Sequence, residues 1–153
     1  MIESSKEFIL DILKQYGKNI ATEVQNKAEE TTGTELNEMA DFIPSFIVAC
    51  EKKNMLERKI GFVCRSPKGR VVKLIQNYDS TIYTQEPEEL LAQWRFVWSK
   101  NPKHARAFIA LSTSPYDMGD CCIGSDDVIY RSKINFNIYD PVVSPQFWEV
   151  VTE

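Results

Sequence analysis

The chain has 153 residues and a formal net charge of −4, with 43% hydrophobic and 26% charged residues, a balance typical of globular proteins. Its basic residues are scattered along the sequence. This argues against nucleic acid and against anionic membranes as partners, because both require a concentrated Lys/Arg surface. No apolar run approaches the roughly 20 residues of a membrane span, and the first residues lack the pattern of a secretion signal.

A long helix is predicted over residues 4–32, and we assign residues 1–33 to it. Ser4 and Glu7 have the spacing of a capping box, and Gly33 stands where a helix C-cap belongs. One face carries an apolar stripe with spacings of four, three and four residues: Ile9, Leu13, Tyr16 and Ile20. The stripe is explained either by packing on the rest of the chain or by self-association, because two heptads do not decide between them. We expect a role in attachment or oligomerisation, with a homotrimer favoured.

The next segment, residues 34–58, has few periodic apolar residues. It is predicted to be an extended connector. Phe42, Ile43 and Phe46 are expected to hold it against a neighbouring surface.

Two β modules follow, the first in residues 59–98 and the second in residues 116–153. Each has β-branched residues on both sides of a short polar turn, which predicts a hairpin. The linker between them, residues 99–115, is expected to contain a short helical turn that begins at Asn101-Pro102. The predicted fold class is α+β, with an N-terminal helix and two small antiparallel β modules.

The two modules have the same order of residue types. An offset of 58 residues pairs Gly61 with Gly119, and a shorter offset pairs the closing Trp94 with Trp148. The order in both is glycine, strand, turn, strand, aromatic, proline and tryptophan. A duplicated unit is therefore predicted. Each copy is too short to fold alone, so the copies must share surfaces with each other or with the helix.

The four cysteines are Cys50, Cys64, Cys121 and Cys122. None has the CxxC spacing of a zinc site, and adjacent cysteines rarely form a disulfide. We expect reduced, mostly buried thiols, with no metal and no cofactor. Cys64 and Cys122 occupy equivalent strand positions, where a small apolar side chain is expected to be buried.

The sequence gives little sign of catalysis. His104 is the one histidine and lies in a polar stretch, and no nucleophile elbow, phosphate-binding loop or dinucleotide fingerprint is present. Asp126-Asp127 and Glu88-Glu89 are explained by a turn and by the solvated face of a short helical segment. We expect no enzymatic activity.

The aromatic residues of the β modules are more informative. Tyr83 and Tyr139 each lie in a polar loop shortly before a proline, where a ring can stack on the C–H face of a sugar. The candidates for stacking on a ligand are Tyr139, Tyr83, Tyr116 and Trp98. Three other aromatics are assigned to the core: Trp94, Trp148 and Tyr130.

The second module resembles the small chitin- and cellulose-binding module found on chitinases. The similarity lies in Y-x-x-G-D, V-I-Y-R-S, Y-D-P and W-E-V between Tyr116 and Val151, and the first module resembles the same unit with a longer loop. The resemblance implies a few antiparallel strands without calcium, a stacking aromatic beside the loop proline, and a buried closing tryptophan. It implies stacking roles for Tyr139 and Tyr83. The family often has tryptophan at the stacking position, so tyrosine implies a lower affinity.

The wider arrangement resembles a group of prophage proteins encoded near tail-fibre genes. The shared motifs are T-G-T-E, I-P-x-F, W-S-x-x-P and S-T-S-P-Y. This resemblance implies a tail-associated protein, present in the host cytoplasm during assembly and then in the virion. Its expected partners are a glycan of the bacterial surface and other tail or fibre proteins. The alternatives are a structural tail component or fibre-assembly protein without sugar binding, and a host-takeover protein.

Overall fold

The chain begins with one long helix in the computed structural model, which describes residues 2–152 and the side chains of residues 6–152. This helix, α1, spans Ile2–Lys27 and is followed by a 3-10 turn at Ala28–Glu30. Ser4 therefore lies inside α1 rather than at its N-cap, and its side chain lies outside the described residues. The helix ends at Lys27, where the Thr31 hydroxyl donates to the Lys27 carbonyl at 2.7 Å and satisfies one of the free carbonyls of the last turn.

Gly33 does not cap α1 but begins a second helix, α2, at Gly33–Glu38. The preceding Thr32 is its N-cap and accepts the N–H of Glu35 at 3.1 Å, as N-cap threonines do. A Cβ on Gly33 would lie 2.5 Å from the carbonyl oxygen of Trp98. The glycine is required here by a close backbone approach, which the sequence does not reveal.

The connector 34–58 is not extended, and this prediction is wrong. It contains α2, a 3-10 turn at Ala40–Phe42 and a third helix, α3, at Phe46–Lys52. Ser45 is the N-cap of α3 and accepts the N–H of Val48 at 3.3 Å, so short helices form from local capping without a long apolar pattern. Ile43 and Phe46 are buried as expected.

The remaining chain forms two small sheets, and the α+β fold class is confirmed. The first sheet consists of the antiparallel strands β1 (Val63–Arg65), β2 (Val71–Leu74) and β3 (Trp94–Phe96). The second contains three antiparallel strands, β5 (Cys121–Ile123), β6 (Ile129–Ser132) and β7 (Trp148–Val150). A short strand, β4 (Arg106–Ala107), pairs in parallel with β5. The linker also contains the expected helical turn, at Pro102–His104.

The two sheets repeat the same strand register. Cys64 and Cys122 lie opposite the second residue of β2 and of β6, and Trp94 and Trp148 pair with the last residue of those strands. Left-handed φ angles also recur at an offset of 58 residues: Gly61 (97°) with Gly119 (95°), and Gly69 (84°) with Asp127 (64°). The backbone therefore reproduces the repeat that the sequence predicts.

The two modules share one hydrophobic core. Trp98 stacks on Tyr116 with ring centroids 4.3 Å apart, and Trp148 packs edge-on against Tyr116 at 5.5 Å. Trp94 and Phe96 of the first sheet belong to the same cluster. A module of this size lacks a sufficient core of its own, and the shared aromatic cluster supplies it.

A second cluster attaches the C-terminal half of α1 to the first sheet. It comprises Val24, Ala28, Leu36, Ile43, Val63 and Val71. The Gln25 side chain adds two hydrogen bonds to the backbone of Val63, at 2.7 and 2.9 Å. Among residues 2–152, no helix is long and apolar enough to cross a membrane.

Candidate ligand-binding surface of the second module

Tyr139 lies in the loop between β6 and β7 and is 46% exposed. Its ring stacks on Phe147 at 4.5 Å with an interplanar angle of 26°, so one face is supported from below. Its carbonyl accepts the indole N–H of Trp148 at 2.8 Å, and Trp148 is 4% exposed. The loop that presents Tyr139 is therefore fixed to the core by the closing tryptophan.

Asn137 organises the same loop from inside. It is fully buried, and its backbone exchanges two hydrogen bonds with Tyr116, at 2.7 and 3.0 Å. Its side-chain amide donates to Ser132 Oγ at 2.9 Å, and its side-chain oxygen accepts the N–H of Tyr139 at 3.0 Å. These bonds leave the loop backbone few alternatives, which favours a preformed surface.

Phe136 is a second exposed aromatic in this loop, and sequence reasoning missed it. It is 63% exposed and has a φ of 54°, a left-handed conformation that costs about 1–2 kcal/mol for a residue with a Cβ. Its N–H donates to Asp117 Oδ1 at 3.2 Å, and the neighbouring Asn135 side chain accepts the N–H of the exposed Met118 at 2.9 Å. Residues held in rare conformations cluster at functional sites. The only signal in the sequence is the pair of flanking asparagines.

In the first module, the residue equivalent to Phe136 is buried. Tyr78, 58 residues before Phe136, is 6% exposed, and its hydroxyl accepts the indole N–H of Trp94 at 3.1 Å. Burial raises the pKa of Tyr78 to about 12. Tyr83 is exposed, but no aromatic ring among the described residues stacks on it. The supported aromatic surface therefore lies on the second module.

Two of the predicted stacking residues are core residues instead. Tyr116 is completely buried and Trp98 nearly so, and the Trp98 indole N–H donates to the Ser114 carbonyl at 2.9 Å. Burial also raises the pKa of the Tyr116 hydroxyl. Both prediction errors have one cause: these rings form the junction between the two sheets, which a sequence does not show. The assignment of Trp94, Trp148 and Tyr130 to the core is confirmed.

The polar residues considered for chemistry make structural contacts. Glu88 does not lie on a solvated face, and this prediction is wrong: its side chain is 6% exposed, and its Oε2 lies 3.0 Å from Arg70 Nη1. His104 Nε2 lies 3.2 Å from Glu38 Oε2, and a hydrogen bond from Asn101 holds the pKa of Glu38 below its usual range. Asp126 accepts the N–H of Val128 at 3.1 Å within the hairpin turn. Among the described residues, no three histidine, cysteine or acidic side chains are grouped as metal ligands.

All four cysteines are free thiols. Cys64 and Cys122 are fully buried at their equivalent strand positions, as the repeat predicts. Burial raises the pKa of both thiols, which disfavours the reactive thiolate. Cys50 is half-buried.

The predicted oligomerisation stripe is exposed over most of its length. Ile9, Leu13 and Tyr16 are each more than half exposed, whereas Ile20 is half-buried and packs on the cluster around Val24. Ile20 is therefore partly used by its own chain. Three other exposed apolar residues lie beside the stripe: Phe8, Leu10 and Ile12.

Comparison of the chain with protein-family models, with curated proteins and with solved structures gives no match.

Proposed function

We propose that this protein is a non-catalytic glycan-binding protein whose second β module holds a saccharide against Tyr139. The observation that carries the proposal is the contrast between Tyr139 and Trp148. The first ring is half exposed and stacked on Phe147, while the second is buried and bonded to the Tyr139 carbonyl. An exposed ring that the core holds rigidly loses little entropy when a sugar ring stacks on it.

The surface around Tyr139 supports the same function. Phe136, in the same loop, and Met118 are two further exposed apolar side chains of this module. The side chains of Asn135 and Asp117 hold the backbone of Met118 and of Phe136 through hydrogen bonds. Apolar rings that orient a ligand, combined with a few fixed polar groups, are the usual composition of a small-ligand site.

The direct test is retention on insoluble chitin, cellulose and purified bacterial cell walls. Tyr139→Ala is expected to lower retention about ten-fold, and Tyr139→Phe is expected to keep it, because the ring is preserved. Tyr83→Ala serves as the matched control in the first module and is expected to have a small effect. Equal retention of wild type and Tyr139→Ala on every polymer would remove Tyr139 from the proposal.

The setting we propose is a virion tail, on the basis of the motif resemblance to prophage tail-region proteins. In this setting α1 attaches the protein through copies of itself. The exposed residues between Phe8 and Tyr16 form an apolar helix surface, and such surfaces mark interaction sites. The surface runs into a groove of about 380 Å³ between α1 and α2, whose floor includes Ile20, Val24, Leu36 and Met39.

A second copy of α1 is the occupant we propose for this surface, in a homotrimer as the favoured state. The four-three-four spacing of the stripe is that of helices that pack on one another. Light scattering at tens of micromolar is expected to show an oligomer. Leu13→Gln is expected to shift the protein toward monomer, whereas Lys14→Gln, on the adjacent position, is not. A wild-type monomer at this concentration would contradict the proposal.

The rival function is a structural tail component or fibre-assembly protein without sugar binding. The burial of Tyr78 favours it, because the first module keeps the fold without an exposed aromatic at that position. The two functions are separated by the retention test together with incorporation into tail particles. Incorporation without retention on any polymer would establish the rival.

A further inference from the structure

Basic side chains that are far apart in the sequence lie together in the folded protein. A groove of about 800 Å³ lies between the C-terminal half of α1 and residues 41–65. Four basic residues from separate elements line it: Lys18 of α1, Lys52 of α3, Arg58 of the following loop and Arg65 of β1. Asp41 is the one carboxylate among the described lining residues. The expectation of a dispersed basic surface therefore does not hold for this face.

The two guanidinium groups are held in place by the protein. Arg65 Nε donates to the Ile43 carbonyl at 2.9 Å, and Arg58 Nη2 donates to the Ala49 carbonyl at 2.8 Å. The Arg58 guanidinium also lies over the Phe62 ring, 4.3 Å from its centroid. Each arginine uses one N–H in these bonds, and Arg58 Nε is buried. The Nη groups of both arginines are therefore the donors left for an oxyanion, which guanidinium groups can bind in a bidentate manner.

Within the part of the chain that the structure describes, no acidic side chain forms an ion pair with any of the four cations. The ion pairs found among the described residues involve Lys27, Arg70 and His104, and none involves a cation of the groove. The chain as a whole has a net charge of −4, so this positive region is local. Clefts lined by one sign of charge concentrate the opposite charge from solution.

We propose that this groove binds the carboxylate or phosphate groups of an acidic saccharide. Its volume is that of a small-ligand site. Its walls combine the cations with Phe42, Pro44 and Phe62, so that apolar rings and fixed guanidinium groups line the same groove. An acidic saccharide presents C–H faces and oxyanions together, and it matches both. The proposal goes beyond the Tyr139 surface and does not depend on it.

The test measures binding of two acidic probes, an oligogalacturonate and a phosphorylated malto-oligosaccharide, with chitohexaose as the neutral probe. Lys18→Gln/Lys52→Gln is expected to weaken binding of at least one acidic probe about ten-fold at about 50 mM NaCl, where screening is weak. Lys53→Gln/Lys59→Gln is the matched control, with the same change in net charge at exposed lysines outside the groove. It is expected to bind within about two-fold of wild type.

Arg65→Gln tests the interior of the groove, with an expected loss similar to that of the lysine pair. Tyr139→Ala is expected to leave acidic-probe binding unchanged, so failure of the Tyr139 surface and failure of the groove are distinguishable. The difference between the two acidic probes identifies carboxylate or phosphate as the preferred group. Equal losses in the groove and control variants, no binding of either acidic probe, or tighter binding of poly-glutamate or a single-stranded oligonucleotide would each overturn the proposal.

Discussion

The first β module contains a buried ion pair whose arginine also bonds to the linker. Arg70 Nη1 lies 3.0 Å from Glu88 Oε2, and each side chain is 6% exposed. Arg70 Nη2 donates to the Ala107 carbonyl at 2.7 Å, and the Ser66 hydroxyl donates to the same Glu88 oxygen at 2.9 Å. Removing one charge should therefore affect the contact of the first module with the linker as well as the pair itself.

We predict that Glu88→Gln destabilises the protein by about 3–5 kcal/mol, because it leaves a buried guanidinium without a counter-charge. At about 2–4 °C per kcal/mol for a domain of this size, the melting temperature should fall by about 6–20 °C. The double variant Arg70→Met/Glu88→Leu removes both charges. It is expected to be near neutral or stabilising, since Arg70 Nε and Glu88 Oε1 are buried without hydrogen-bond partners.

The assay is urea unfolding followed by the fluorescence of the buried tryptophans. The control is Glu23→Gln, which breaks the exposed pair of Glu23 with Lys27 at the same distance of 3.0 Å and should cost at most about 0.5 kcal/mol. A Glu88→Gln cost as small as the control would refute the reasoning that burial sets the magnitude. A double variant as unstable as Glu88→Gln would assign the effect to the hydrogen bonds with Ser66 and Ala107.

Three further predictions follow from burial. Trp148→Ala should lower the free energy of unfolding by about 3–5 kcal/mol, because it leaves a cavity. Tyr139→Ala should lower it by about 1 kcal/mol, because only the ring stacking is lost. Equal losses in thermal unfolding would place Tyr139 in the core. A maleimide should label Cys50 in the folded protein and Cys64 only after unfolding, as followed by mass spectrometry; rapid labelling of Cys64 under native conditions would contradict its burial. Burial raises the pKa of Asp120, so wild-type stability should fall as pH rises from the ordinary carboxyl range through this raised pKa. Asp120→Asn should lack this slope and be more stable at pH 7, and an unchanged pH profile of unfolding would show that Asp120 does not cause it.

The sequence predicts those parts of the fold that depend on local residues. The hairpins follow from turns between β-branched runs, and the burial of Trp94 and Trp148 follows from the repeat. The burial of Trp98 and Tyr116 was not predictable, because it depends on how the two sheets pack together. Local capping likewise produced α2 and α3 where no long apolar pattern exists.

In the candidate sites, too, local features are predictable from the sequence and long-range contacts are not. The exposure of Tyr139 agrees with its polar loop and neighbouring proline, whereas the support from Phe147 requires coordinates. The conformation of Phe136 depends on hydrogen bonds from a distant turn. The basic groove could not be predicted from the sequence, because its cations come from four different elements.

The stack of Trp98 on Tyr116 joins the two modules through one core, which bears on the proposed binding of a polymer. Tandem modules on a flexible linker sample many separations, and the second binding event gains from a high effective concentration over a range of ligand lengths. Here the shared core fixes the separation and the relative orientation of the two modules. A polymer that met the proposed Tyr139 surface and the proposed basic groove at the same time would have to match that fixed spacing, so avidity would depend on polymer geometry rather than on linker length.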